Sequence, residues 1–209
     1  MPRAPRQTAA RRSHEIRQSR GLMSTLASKA QLRASFIRWA LFAVPAVFLL
    51  AFLTQQFTPG GPGNPWYAAL EKPAINPPAY LFGIVWPILY LLMGLALALV
   101  LSAWGARGRT AAIVAFAVQF VLNLAWTPVY FGLQRIDYGL ATIIALDVAL
   151  LVTIVLFWKV RKLAAVLLLP YLAWVLFATV LNYQFLQLNP EASGISRDDG
   201  AAQVIEFGE

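Results

Sequence analysis

The sequence predicts an all-α integral membrane protein, a bundle of five transmembrane helices. Three observations predict it. Hydrophobic residues make up 59% of the 209 residues and charged residues 12%, about half the charged share of a soluble domain. The apolar residues gather in five runs, 36–57, 80–104, 110–133, 138–158 and 163–188, each close to the roughly 20 residues a helix needs to cross hydrocarbon. The runs do not alternate apolar with polar, as the strands of a membrane barrel do.

Residues 1–35 read as a separate basic tail. Arg3, Arg6, Arg11, Arg12, Arg17, Arg20, Lys29 and Arg33 face a single acid, Glu15. Three readings stand: a solvated, disordered tail, an Arg-rich and acid-poor transit peptide, or a shorter chain starting at Met23. A secretory signal is excluded, because no apolar stretch precedes Phe36. The one histidine, His14, lies in this tail, so the membrane body has no histidine-based site. With no cysteine in the chain, disulfides, thiolate zinc sites and cysteine nucleophiles are excluded.

The first span carries Arg38 near one end and Pro45 inside it. Residues 58–79 follow, the one long connection. They hold Gly60, Gly61, Pro62, Gly63, Asn64 and Pro65, then Trp66 and Tyr67, then Pro73, Pro77 and Pro78. Such a loop is either a linker with an interfacial aromatic anchor or a lid over a binding site.

In the second span Phe82, Trp86, Tyr90 and Met93 fall on one helical face. Gln119, Asn123, Trp126 and Tyr130 do so in the third, and Tyr171, Trp174, Ala178 and Asn182 in the fifth. Amides in hydrocarbon are costly unless paired, so these faces point inward or at a ligand. Asn123 has a plainer reading, a hydrogen bond between helices. Trp66, Trp104 and Trp158 fit an interfacial belt, whereas Trp86, Trp126 and Trp174 lie inside spans and fit it less well. Prolines 45, 87, 128 and 170 can kink four of the spans. Ala111 and Ala115 permit close helix approach.

Asp147 is the intramembrane acid, near the middle of the fourth span. It serves either a proton or substrate relay or a buried structural hydrogen bond. No basic residue lies at its depth, and the structural reading is preferred. Residues 190–209 form an acidic C-terminal tail. The domain division is therefore 1–35, 36–189 with its lid at 58–79, and 190–209.

Five spans put the N-terminus and the second and fourth loops on one side. Fourteen Lys and Arg lie there and three opposite, at Lys72, Arg135 and Arg197. The positive-inside rule then places the N-terminus on the cytoplasmic side, or its organellar equivalent. The membrane would be a bacterial inner membrane or an organellar one. The chain shows no phosphate loop, carboxylate pair, metal cluster or catalytic triad. No catalytic residue, metal, cofactor or nucleic-acid partner is expected; membrane lipids are the expected surroundings.

The segments "WYAALEKPAINPP", "VWPILYLLMG", "QFVLNLAWTPVYFG" and "LLLPYLAWVLFATVLNYQFLQLN" resemble the translocator protein family, also called TspO, the peripheral-type benzodiazepine receptor or tryptophan-rich sensory protein. The resemblance covers roughly residues 36–189 and neither tail. It implies a five-helix bundle, often a homodimer, with a ligand cavity capped by the first loop. It also implies porphyrin and other tetrapyrrole ligands, sterols and synthetic ligands. By position it implies Trp66 as the lid aromatic, and Pro77 and Pro78 as the double proline at the entrance. Trp86 and Tyr90 on the second helix, Asn123 and Trp126 on the third, and Trp174 and Ala178 on the fifth match pocket residues; Phe82 lies on the same second-helix stripe. Trp86 and Trp174 also match the tryptophans tied to porphyrin breakdown, and Asp147 resembles an acid of animal members.

Two departures stand out. Ala74 and Ile75 occupy positions where some bacterial members carry tryptophans, which loosens any clamp on a flat ring. Tyr183 is followed by Gln184, Phe185, Leu186 and Gln187, without the basic residue of the proposed sterol motif, so tight sterol binding is not expected. The leading expectation is a membrane receptor or sensor, or a transporter, for hydrophobic tetrapyrroles. The alternatives are a light-dependent porphyrin-degrading activity and a structural membrane partner without a small ligand.

Overall fold

The computed structural model describes residues 29–58 and 60–193. The basic segment through residue 28, with His14 and Met23, and the acidic tail from residue 194 lie outside the described residues. Among the described residues, five helical stretches are long and apolar enough to cross a membrane. The first is α1 (Lys29–Phe57), followed in the lid by a 3-10 turn (Gly61–Gly63) and the short α2 (Pro65–Ala69). Then come α3 (Ala79–Leu101), α4 (Arg109–Thr127), α5 (Ile136–Val160), and a fifth span made of α6 (Lys162–Leu167) and α7 (Leu169–Leu188).

The ends differ from those read off composition, for local reasons. Helix α1 begins at Lys29, so residues 29–35, assigned above to the tail, are helical. A helix continues past the hydrocarbon where its charged side chains stay solvated, and composition marks the membrane edge rather than the helix end. Helix α3 stops at Leu101, short of Trp104. The Ser102 hydroxyl donates to the Leu99 carbonyl, and Gly105 and Gly108 take positive φ angles in the turn that follows. Arg109 donates to the carbonyls of Val100 and Leu101 at the end of α3, and its guanidinium lies 4.3 Å from the centre of the Trp104 ring. Trp104 and Trp158 are more than half exposed, as interfacial anchors are.

Two prolines reshape spans rather than merely kinking them. Pro128 has no N–H to continue α4. The chain widens into a π-helical turn (Pro128–Gly132), closed by the Leu133 N–H donating to the Pro128 carbonyl at 2.9 Å. Pro170 sits in the first turn of α7, and the same missing donor breaks the fifth span at Leu168, whose N–H closes on Ala165 at 3.1 Å.

Helix α1 packs along α3, α4 along α5, and α5 against α7. Gly94 allows the first pair to meet: a Cβ there would stand 2.7 Å from the Val44 Cα. The outer faces carry Leu41, Phe52, Ile84, Val121, Val148 and Val155, all exposed. That arrangement suits a hydrocarbon solvent and not water. Inside, one apolar cluster holds Met93, Phe116, Leu150, Phe157 and Tyr171. A second gathers Leu70 of the lid with Tyr130, Ile136, Leu181 and Phe185.

Candidate ligand cavity

A cavity of about 740 Å³ lies within the bundle and reaches the lid. Pro77, Pro78, Phe82, Trp86, Tyr90, Asn123, Trp126, Trp174 and Ala178 all line it. The helical stripes read from the sequence therefore converge. Trp66 does not line it. Its ring packs edge-on against Tyr130 at 5.6 Å and its indole N–H donates to the Ala192 carbonyl at 3.2 Å, so it stands behind the wall. Asp147 does not line it either. Its Oδ2 lies 2.7 Å from the Thr179 hydroxyl, between α5 and α7.

Two aromatic groups wall the cavity. Under the lid, Trp126 stacks on Tyr130 at 4.9 Å, with Phe131 edge-on to both. The π-helical turn delivers Tyr130 and Phe131 there. Gly139 makes room, since a Cβ on it would sit 2.7 Å from the Tyr130 ring. Deeper in, Trp86 stacks on Tyr90 at 5.2 Å, and Trp174 meets Phe82 at 5.6 Å. Aromatic faces spaced around a void suit a flat apolar guest.

The polar groups differ by depth. Asn182, 2% exposed, accepts from the Trp126 indole at 3.3 Å and donates to the Ile136 carbonyl at 3.0 Å. It thereby fixes the Trp126 ring against the wall. Lower down, Gln119 is fully buried and neither of its amide atoms has a protein partner. The Asn123 Oδ1, the Tyr171 hydroxyl and the Trp174 indole N–H are also unpartnered. Tyr171 faces Asn123 and Tyr90 without reaching hydrogen-bond geometry.

At the mouth Lys72 is the one cation among the lining residues. Its ammonium donates to the carbonyls of Tyr67, Ala68 and Leu70, capping the C-terminal end of α2, and lies 4.6 Å from the centre of the Tyr67 ring. Desolvation against the lid pulls its pKa below the ordinary lysine value. The sequence reading missed Lys72, Leu70, Gly139, Thr179 and Asn189. Only Asn189 left a usable signal, an Asn just after the last apolar turn, where helix caps are common.

Five membrane-length helices around an aromatic cavity, capped by a Pro- and Gly-rich loop, define a multi-pass membrane protein with an internal ligand-sized site. The TspO/MBR family model matches residues 42–188, and the chain belongs to that family. It is 44% identical over 142 residues to the tryptophan-rich protein TspO of Chlorobaculum tepidum, covering 68% of this chain and 89% of that one. It is 36% identical over 162 residues to the tryptophan-rich sensory protein of Cereibacter sphaeroides, covering 74% and 96%. It is 39% identical over 148 residues to the human translocator protein, covering 67% and 87%.

Proposed function

We propose that this chain is a membrane receptor or sensor that binds hydrophobic tetrapyrroles in the intrabundle cavity. The observation that carries the reading is the cavity itself. Its volume, about 740 Å³, falls within the roughly 300–1,000 Å³ of small-molecule sites. Trp86, Trp126 and Trp174 line it from three different helices. A flat macrocycle would stack on these rings, with Asn123 offering the polar contact. Names of relatives such as tryptophan-rich sensory protein agree with a sensing role.

Protoporphyrin titration read by tryptophan fluorescence tests this. Trp174→Phe and Asn123→Ala are each expected to weaken binding about tenfold, the effect of one lost contact of roughly 1.4 kcal/mol. Unchanged affinity in both would sink the assignment. Lys72 sets the orientation, with the carboxylates of the ligand at the mouth. Lys72→Gln is expected to weaken binding of protoporphyrin about threefold more than that of its dimethyl ester, because loss of the lid ties acts on both ligands while loss of the charge acts only on the free acid, and a solvent-exposed charge pair contributes little.

A second reading, light-dependent porphyrin breakdown with dioxygen as the oxidant, draws on Trp86, which lines the cavity and stacks on Tyr90, as the electron donor to the photoexcited ring. A new absorption spectrum under illumination, lost in Trp86→Phe, tests it.

The basic residues Arg107, Arg109, Lys159, Arg161 and Lys162 lie at the end away from the lid, and the positive-inside rule supports a cytoplasmic side, or its organellar equivalent, for that end. The chain has no cysteine, so Ala106→Cys can be labelled cleanly from one side of the membrane. Labelling from outside intact cells would reverse the orientation.

A further inference from the structure

We propose that Asn189, with the segment after α7, is the latch that holds the lid closed and sets how fast ligands cross it. The effect on ligand exchange rests on the cavity being a ligand site; the latch itself does not.

The lid docks through an apolar anchor at Leu70, flanked by the ring of Trp66 on Tyr130 and that of Tyr67 on Phe131 and Phe185. Leu70, 7% exposed, joins Tyr130, Ile136, Leu181 and Phe185. The next residue is held by hydrogen bonds. The Glu71 N–H donates to Asn189 Oδ1 at 2.8 Å, and Asn189 Nδ2 donates to the Glu71 carbonyl at 3.0 Å. One side chain thus pairs with both backbone groups of one residue, as a neighbouring strand would. The second Nδ2 hydrogen serves the Phe185 carbonyl at 2.9 Å. That bond ties the amide to the end of its own helix and fixes its direction.

On the other side of Leu70, the Trp66 indole donates to Ala192, in the 3-10 turn (Pro190–Ala192) that follows Asn189. The lid is therefore bonded to the C-terminal segment at residues 66 and 71. Within itself the lid is stiff: Lys72 ties three of its carbonyls together. Its link to α3 carries Pro73, Pro77 and Pro78, which fix φ and bring no N–H donors. A stiff loop on a proline hinge opens mainly by breaking its contacts with the C-terminal segment and with the rings of Tyr130, Phe131 and Phe185. Those hydrogen bonds are exposed or half-buried, hence individually modest and reversible.

The test uses the full-length protein in detergent or nanodiscs, with Asn189→Ala, Asn189→Asp and Trp66→Phe. Asn189→Asp keeps the acceptor for the Glu71 N–H but loses both donations and sets an anionic oxygen against two carbonyls. Hydrogen–deuterium exchange at the Glu71 amide needs no ligand. Both Asn189 variants are expected to speed it about tenfold or more, the scale of one or two modest hydrogen bonds; Trp66→Phe acts in the same direction but less. In stopped-flow mixing with protoporphyrin, association and dissociation should both accelerate, with the equilibrium affinity changing less than either rate.

Unchanged Glu71 exchange in both Asn189 variants overturns the latch. Faster exchange with unaltered association and dissociation rates overturns its control of the cavity. If the wild-type protein takes up no porphyrin, the proposed function fails, and Glu71 exchange alone still decides the latch. If the Asn189 variants fail to fold, Trp66→Phe decides by the same two measurements.

Discussion

The two ends of the cavity treat their amides differently. Near the lid, Asn182 and Asn189 have their amide groups engaged with named partners on other elements. At the deep end, Gln119 has none for either amide atom, and Asn123 has none for its oxygen. All of these side chains sit in or beside a low-dielectric bundle, where an unpaired amide is costly. The difference separates architecture from site. The upper amides hold helices, rings and lid in place. The lower ones keep hydrogen-bonding capacity free, at a cost in stability; of the two, Asn123 lines the space a guest would fill, and Gln119 is buried outside that lining.

The largest effect expected from this contrast is at Asn182. Replacing it with Leu strands the indole N–H of Trp126 and removes a tie to Ile136. A buried group left unsatisfied costs about 1–3 kcal/mol, so Asn182→Leu is expected to lose about 2 kcal/mol. Denaturant unfolding in detergent measures it. A loss well under 1 kcal/mol would mean the upper amides are no more structural than the lower ones.

Gln119→Leu should do the opposite. The swap removes two unpaired polar atoms and keeps a side chain of similar bulk. Replacing unsatisfied polar groups by apolar ones is commonly neutral or stabilising, and a gain of up to about 1 kcal/mol is expected by the same unfolding measurement. A loss instead would show that the amide is bonded in the native protein through buried water, and the two ends would then differ less than their direct contacts suggest.

The sequence made one half of this contrast legible. Helix-period spacing brought Phe82, Trp86 and Tyr90 to one face, Asn123 and Trp126 to another, and Trp174 and Ala178 to a third. All of them line the cavity, because periodicity determines which face a residue occupies. Which amide finds a partner depends on a second helix, and no single-helix pattern encodes that. Asn123 and Asn182 look alike in sequence, yet Asn182 meets Trp126 and Ile136 while the Asn123 oxygen, on the side chain facing Tyr171, has no partner in hydrogen-bond geometry. Trp66 was legible as a lid aromatic but not as a residue turned away from the cavity, since that depends on Ala192, far along the chain. The span ends shifted because capping by Ser102 and the missing donors of Pro128 and Pro170 act locally, below the resolution of a hydrophobic run. Lys29 falls inside α1 for the related reason that helices outlast the hydrocarbon.

Asp147 carries the smallest expected effect and the sharpest test of where paired architecture ends. The Thr179 oxygen lies 2.7 Å from Asp147 Oδ2 and 3.0 Å from the Val175 carbonyl. Its single proton can serve only one of them well. If Asp147 carries its own proton, it donates to the Thr179 oxygen, and the hydroxyl is left to bond Val175. Both contacts are then satisfied, and no cation is needed at that depth. An asparagine in the same place donates to Thr179 in the same way. Asp147→Asn is therefore expected to change stability by no more than about 0.5 kcal/mol, the size of a neutral substitution, and to leave protoporphyrin affinity unaltered. An ionised aspartate would instead lose a charge-assisted bond worth about 1.5–3 kcal/mol. A loss of that size in unfolding would place a charge in the middle of the bundle and turn the Asp147–Thr179 pair from a strut between α5 and α7 into part of the working site.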